Sequence, residues 1–275
     1  MSRLAEALAA TRAAGRVAVF PYLTAGYPDE GACERLLVAA ARAGATGLEI
    51  GIPFSDPLAD GVTLQRASHA ALEGGATLGR ALELVARVER QAHLPIVLMS
   101  YVNPLLAYDF ERFADEAARS GVDGLIVPDV PPEEADPLRA ACVAHGIDYV
   151  YMLAPTSTND RIRMVAGRGG GFLYCVSLLG VTGARASVSG GVGKLLARIR
   201  RLTTLPLLVG FGVAKPEHVA ALAEAGADAV VVASALVDLV DATAPAEREA
   251  AVTRFVADLV SAAGTRLAAT PRDAG

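Results

Sequence analysis

The sequence predicts a closed (β/α)8 barrel in a single domain. Three observations lead there. Short apolar runs alternate with helix-periodic stretches along about 250 residues. One junction recurs, a glycine that closes a helix two or three residues before an apolar strand opens. No proline-rich or serine-rich linker divides the 275 residues. An open doubly wound sheet is the main rival, but it would carry a dinucleotide fingerprint or fewer units, and the chain has neither.

The first stretch, MSRLAEALAATRAAGR, repeats Leu4, Ala7 and Leu8 at helical spacing and sets Glu6 among its apolar residues. That pattern predicts an amphipathic helix ahead of the barrel rather than an export signal, and a cytoplasmic protein. Strands are predicted near residues 17–23, 47–51, 96–101, 124–127, 149–153, 172–176, 207–210 and 229–232. Helices are predicted over 30–43, 78–91, 109–119, 132–145, 158–167, 192–202, 216–225 and 246–262, with another starting near Thr63. The junction glycines are Gly44, Gly121, Gly146 and Gly226, each followed by residues such as Ala-Thr or Val-Asp and then the strand. A short helix starts after the eighth strand at Ala233-Ser234-Ala235. The barrel domain is predicted over 1–263, and 264–275 reads as a disordered tail.

Composition narrows the function classes. Hydrophobic residues make up 53% and charged residues 20%, enough for a large core. Mean hydropathy is +0.39, yet the apolar runs fall far short of the ~20 residues a spanning helix needs, so no membrane is expected. A net charge of −5 without basic clusters gives no reason to expect nucleic acid. Cys33, Cys142 and Cys175 are odd in number and lie in apolar patterns, as reduced core thiols do. His69, His93, His145 and His218 show no metal spacing. The two lysines, Lys194 and Lys215, sit in or entering helices rather than on a strand, which argues against Schiff-base chemistry.

The chemistry concentrates in LEIGIPFSDPLADG, residues 48–61. Glu49 ends a strand between Gly47 and Gly51, and those glycines are expected to leave open space before its carboxylate. Pro53 and Pro57 stiffen the following loop, which presents Asp60 rather than burying it. From these residues alone, an ion-paired Glu49 and a turn-forming Asp60 remain an equal reading. In a barrel the segments after each strand gather at one mouth. The long polar loop 177–191 after the sixth strand reads as a mobile lid. Gly210-Phe211-Gly212 follows the seventh strand, and Ala233-Ser234 opens a helix after the eighth. Small residues let backbone N–H groups approach an anion, and a helix N-terminus adds partial positive charge. Tight turns are the other use of such glycines.

LEIGIPFSDPLADG closely resembles the signature of the tryptophan synthase alpha chain family. The likeness extends from about Phe20 to about Val240, through residues 20–26 (FPYLTAG), 101–104 (YVNP), 127–131 (VPDVP), 180–185 (GVTGAR) and 210–212 (GFG). The resemblance implies a (β/α)8, or TIM, barrel that cleaves indole-3-glycerol phosphate to indole and glyceraldehyde 3-phosphate. It implies an outer subunit of an α-β-β-α complex, passing indole to a pyridoxal-phosphate β subunit and needing no cofactor of its own. Carried over by position, Glu49 matches the family's acid/base and Asp60 its second carboxylate. Tyr22 and Tyr174 match pocket aromatics, and Gly183, Gly212 and Ser234 match phosphate-binding positions. Thr182, Gly210, Phe211 and Ala233 lie in the same substrate-facing segments. Where the family usually has glycine, this chain has Ala233. Asp56, Pro57, Asn103, Pro104, Asp129 and Pro131 match the face toward the β subunit. Two other functions stay open: a related sugar-phosphate barrel enzyme, opposed by SDPLADG, and a catalytically silent regulatory subunit, opposed by retention of both carboxylates.

Overall fold

A computed structural model describes residues 2–176, 189–210 and 212–264. The predicted lid lies largely outside the described residues, as do Thr182, Gly183, Phe211 and almost all of the predicted tail. The strands are β1 (Ala18–Thr24), β2 (Leu48–Gly51), β3 (Ile96–Met99), β4 (Gly124–Ile126), β5 (Asp148–Val150), β6 (Met152–Leu153), β7 (Leu173–Val176), β8 (Leu207–Gly210) and β9 (Ala229–Val232). They are ordered β5-β4-β3-β2-β1-β9-β8-β7-β6, and every pairing is parallel. The strand predicted at 149–153 is therefore two segments, separated only by Tyr151. Its first half pairs with β4 and its second with β7, so it hydrogen-bonds to a different neighbour on each side of Tyr151. β1 divides its pairing likewise: its beginning, through Pro21, pairs with β9, and Tyr22 onward pairs with β2. These two strands are seams that join a β2-β3-β4 half to a β7-β8-β9 half.

The helices are α1 (Arg3–Ala13), α2 (Glu30–Arg42), α3 (Val62–Glu73), α4 (Leu78–Ala92), α5 (Val102–Tyr108), α6 (Phe110–Ser120), α7 (Asp136–Ala144), α8 (Asn159–Arg168), α9 (Ser189–Arg200), α10 (Pro216–Glu224), α11 (Ser234–Ala242) and α12 (Arg248–Ala262). All four junction glycines have positive φ: Gly44 +98°, Gly121 +91°, Gly146 +77° and Gly226 +99°. A side chain is strained in that conformation, which is why glycine recurs there. The predicted helix 132–145 begins only at Asp136. Residues 131–134 instead form a turn closed by Glu134 N–H to Pro131 C=O at 2.9 Å, and Pro137 lies in the helix's first turn. The sequence reading did not anticipate α5.

The predicted N-terminal helix is α1, with Ser2 accepting from Ala5 N–H at 3.2 Å as its cap and with Leu4 and Leu8 buried. Leu4 fits against Gly124 and Gly171: a Cβ on those residues would lie 3.2 and 2.7 Å from its methyl group. Inside the barrel, Phe20 and Phe172 meet with ring centroids 6.1 Å apart. All three cysteines are buried and none forms a disulfide. No helix among the described residues is long and apolar enough to cross a membrane.

Candidate active site

β2 carries Glu49 into the interior, in register with Tyr22 of β1 and Val97 of β3. The residue is 1% exposed, and its Oε2 has no hydrogen-bond partner among the described residues. A buried carboxylate oxygen is ordinarily satisfied, and the buried Tyr149 and Tyr151 hydroxyls are left without a partner in the same way. The flanking glycines do not leave open space, contrary to the sequence expectation. A Cβ at Gly47 would come within 2.3 Å of the Phe20 ring, and one at Gly51 within 1.9 Å of the Tyr22 hydroxyl. The missing side chains admit two aromatic rings from β1. The same device recurs across the barrel, where a Cβ at Gly210 would lie 1.8 Å from the Tyr174 hydroxyl. Each tyrosine leans toward a glycine on the neighbouring strand, and both are buried.

Asp60 closes a tight loop. Its N–H donates to Pro57 C=O at 3.0 Å, and its own C=O accepts from Gln65 Nε2 at 2.9 Å. It is half-buried, not simply presented as the loop's prolines suggested. Tyr101 holds it there. The Tyr101 hydroxyl accepts from Ala59 N–H at 3.0 Å and donates to the Asp60 carboxylate. Its ring stacks on Phe54 at 5.4 Å and 30°. Phe54 in turn exchanges two hydrogen bonds with Ser68 Oγ, 2.8 Å from its N–H and 3.1 Å to its C=O. The sequence reading assigned Tyr101 no role. Its place directly after a strand, opening the YVNP segment, was the available signal.

Burial separates the two carboxyl groups. It pushes Glu49 up to about 8, with the Asp60 charge acting in the same direction. It pushes Asp60 only to about 6, because the Tyr101 hydrogen bond favours the ionised form. Near neutral pH one carboxyl keeps its proton and the other is charged. Tyr22 and Tyr174 are held neutral, first by burial and then by the Glu49 and Asp60 charges, so all four groups share one mouth.

Across that mouth, Gly212 has φ +77° just beyond β8, and Ala233 links β9 directly to α11. Ala233 has φ −114° and ψ −86° and makes no side-chain capping bond. In the first turn of α11, Leu236 N–H already donates to Ala233 C=O at 2.9 Å, while no side chain caps the N–H groups of Ser234 and Ala235, which suits an anion. Ser234 is exposed beside them.

Of the six residues expected to face a partner, Asp56, Asn103, Asp129 and Pro131 are exposed and Pro104 is half-buried. Pro57, in the same loop as Asp60, is buried in the chain by itself. The Asp129 carboxylate accepts from Val102 N–H at 3.0 and 3.2 Å, joining its loop to the start of α5. Leu58, Val62 and Leu106, 88%, 76% and 62% exposed, are large apolar side chains that the sequence reading did not single out. Leu58 and Leu106 neighbour the partner-facing residues in sequence. No group of three potential metal ligands occurs among the described residues.

Fold and site together define a (β/α)8-barrel protein whose mouth gathers two carboxyl groups, Glu49 and Asp60, and the start of α11. The model of the tryptophan synthase alpha chain family matches residues 8–264. A tryptophan synthase alpha chain from Roseiflexus sp. (strain RS-1) is 48% identical over 260 residues, 94% of this chain and 99% of the relative. One from Geobacter sulfurreducens is 46% identical over 264 residues, 96% and 100% of the two chains. Among solved structures, the alpha subunit from Legionella pneumophila superposes with a TM-score of 0.86 at 32% identity, covering 95% of this chain and 98% of that one. Tryptophan synthase from Mycobacterium tuberculosis gives 0.87 at 35%, with the same coverage. The chain belongs to the tryptophan synthase alpha chain family.

Proposed function

We propose that this chain is the indole-3-glycerol-phosphate lyase subunit of tryptophan biosynthesis. The single observation that carries the reading is geometric: Glu49, buried on β2, and Asp60, on the loop held by Tyr101, face one mouth, where burial pushes Glu49 up to about 8 and Asp60 only to about 6. Cleaving the bond between indole C3 and the glycerol carbon would leave a carbanion on an aromatic ring. Protonation of C3 first turns the ring nitrogen into an electron sink. Glu49 enters protonated, with an unpartnered oxygen, and gives that proton to C3. Asp60 enters ionised and accepts a hydrogen bond from the ring N–H as positive charge develops there. Glu49, now a carboxylate, takes the proton of the adjacent side-chain hydroxyl. The carbon–carbon bond breaks, its electrons restore the indole, and the hydroxyl carbon becomes the aldehyde of glyceraldehyde 3-phosphate. Tyr22 and Tyr174 line the ring end, while Gly212, Ser234 and the α11 terminus receive the phosphate.

The chain needs no cofactor for this step, and pyridoxal phosphate belongs to the β partner that consumes indole. Asp56, Asn103, Asp129 and Pro131, with the exposed Leu58 and Leu106, form the docking face. The test is indole release from indole-3-glycerol phosphate by the purified chain, with and without a β subunit. Glu49→Gln should lower turnover by ~10³ to 10⁴-fold while retaining substrate binding. Asp60→Asn, which keeps an acceptor oxygen, should lose ~10² to 10³-fold. Appreciable turnover in Glu49→Gln would sink the assignment.

A further inference from the structure

α11 carries two carboxylates beyond its anion-ready end, Asp238 and Asp241, spaced i, i+3 and so on one face. Both are gripped by α3. Asp238 Oδ1 accepts from Thr63 Oγ1 at 3.1 Å and lies 3.7 Å from Arg66 Nη2. Asp241 pairs with the same Arg66 nitrogen through Oδ2, and its Oδ1 accepts from the buried Tyr27 hydroxyl. The far end of α11 is fastened separately: Arg248 Nε donates to the carbonyls of Val240 at 2.9 Å and Thr243 at 3.2 Å. Thr63 and Arg66 follow Asp60 by three and six residues, within the first two turns of α3, and Ser234 stands one turn before Asp238. The helix holding the phosphate end is thus tied to the helix that begins just after the Asp60 loop.

Arg66 and Asp238 side chains are 57% and 59% exposed, and pairs so open add little to stability. Asp241 is 25% exposed, and it joins Tyr27 from the first βα loop to Arg66. Such a network is suited to holding a spacing rather than to strengthening the fold. We infer that Arg66 is a positioning residue of the reaction, setting the distance between the phosphate-binding end of α11 and the loop that bears Asp60. The inference rests on the lyase reading above. A substrate gripped at both ends is productive only when that distance fits its length.

Misplacement of reacting groups by about an ångström can cost on the order of 10²-fold in rate. Loss of one surface latch should fall short of that, at about ten-fold. The experiment is indole release by Arg66→Ala and Arg66→Lys, each made in the wild-type chain and in Asp60→Asn. Arg66→Ala should lower kcat about ten-fold with KM within about two-fold, since the phosphate cradle itself is untouched, and Arg66→Lys should recover most of the loss. In the Asp60→Asn background, Arg66→Ala should add less than about two-fold, because the group it positions no longer carries charge. Equal losses in both backgrounds, or wild-type kcat in Arg66→Ala, would overturn the inference. A second readout is amide hydrogen exchange across residues 55–61 with saturating inorganic phosphate. Protection in the wild type that disappears in Arg66→Ala supports the latch, and equal or absent protection in both refutes it. Wild-type chain that releases no indole would sink the lyase reading alone, leaving exchange to decide the latch.

Discussion

Replacing Glu49 with glutamine should change how stability depends on pH, and the size of the change follows from its burial. In the folded chain burial pushes the Glu49 carboxyl up to about 8 from an ordinary 4.5. Below 4.5 it is protonated whether the chain is folded or not. Between 4.5 and about 8 the unfolded chain has released the proton and the folded chain still holds it, so stability falls as pH rises. Above about 8 the loss is complete. At about 1.4 kcal/mol per pH unit, the wild type should lose roughly 4 kcal/mol through this group between about pH 5 and pH 8.5. Glutamine has no such slope. Urea unfolding of both proteins at those two pH values isolates the effect, because contributions from other groups largely cancel in the difference. Whatever the substitution costs at pH 5, the variant should gain roughly 4 kcal/mol on the wild type by pH 8.5. Parallel stability curves would show that the Glu49 carboxyl is ionised in the folded chain, and the proposed first proton transfer would fail with it.

The same two groups shape the rate. kcat/KM should rise as Asp60 ionises through about 6 and fall as Glu49 deprotonates through about 8, and a profile flat across that window would contradict the division of roles. Gly210→Ala would place a methyl where the Tyr174 hydroxyl now lies, 1.8 Å away. Overpacking of that kind should destabilise the chain by about 1–3 kcal/mol and raise KM as the ring is driven toward the mouth, and unchanged melting and KM would show that Tyr174 can move aside freely.

The barrel was legible because its signals are local. Alternating periodicities and glycines at helix ends need nothing beyond a few neighbouring residues, and the four junction glycines all adopt the conformation their position demands. Glu49 and Asp60 were legible for another reason, the close likeness of residues 48–61 to one family's signature. What escaped depends on contacts between distant strands. The glycines beside Glu49 read as empty space, but whether a ring from β1 fills it depends on a register of Tyr22 with Glu49 that no local pattern encodes. Pro57 was placed on the partner-facing surface by likeness to the family, and its burial is a property of how the loop packs, which sequence likeness does not report. Tyr101 lies 41 residues beyond Asp60, counting 101 − 60, and only closure of the barrel makes them partners. The division of the fifth strand at Tyr151 is likewise a product of closure, since its two ends answer to different neighbours.

That division gives the barrel a structural grain. β1 and the interrupted fifth strand are the two places where the wall changes hands, and between them lie two arcs with separate duties. The arc of β2, β3 and β4 supplies Glu49, the Asp60 loop and Tyr101, whereas the arc of β7, β8 and β9 supplies Tyr174, Gly212 and the start of α11. A molecule with an aromatic ring at one end and a phosphate at the other would lie across the divide like a staple. Its binding energy would then be spent partly on clasping the arcs together, so occupancy of the mouth and integrity of the wall become one equilibrium.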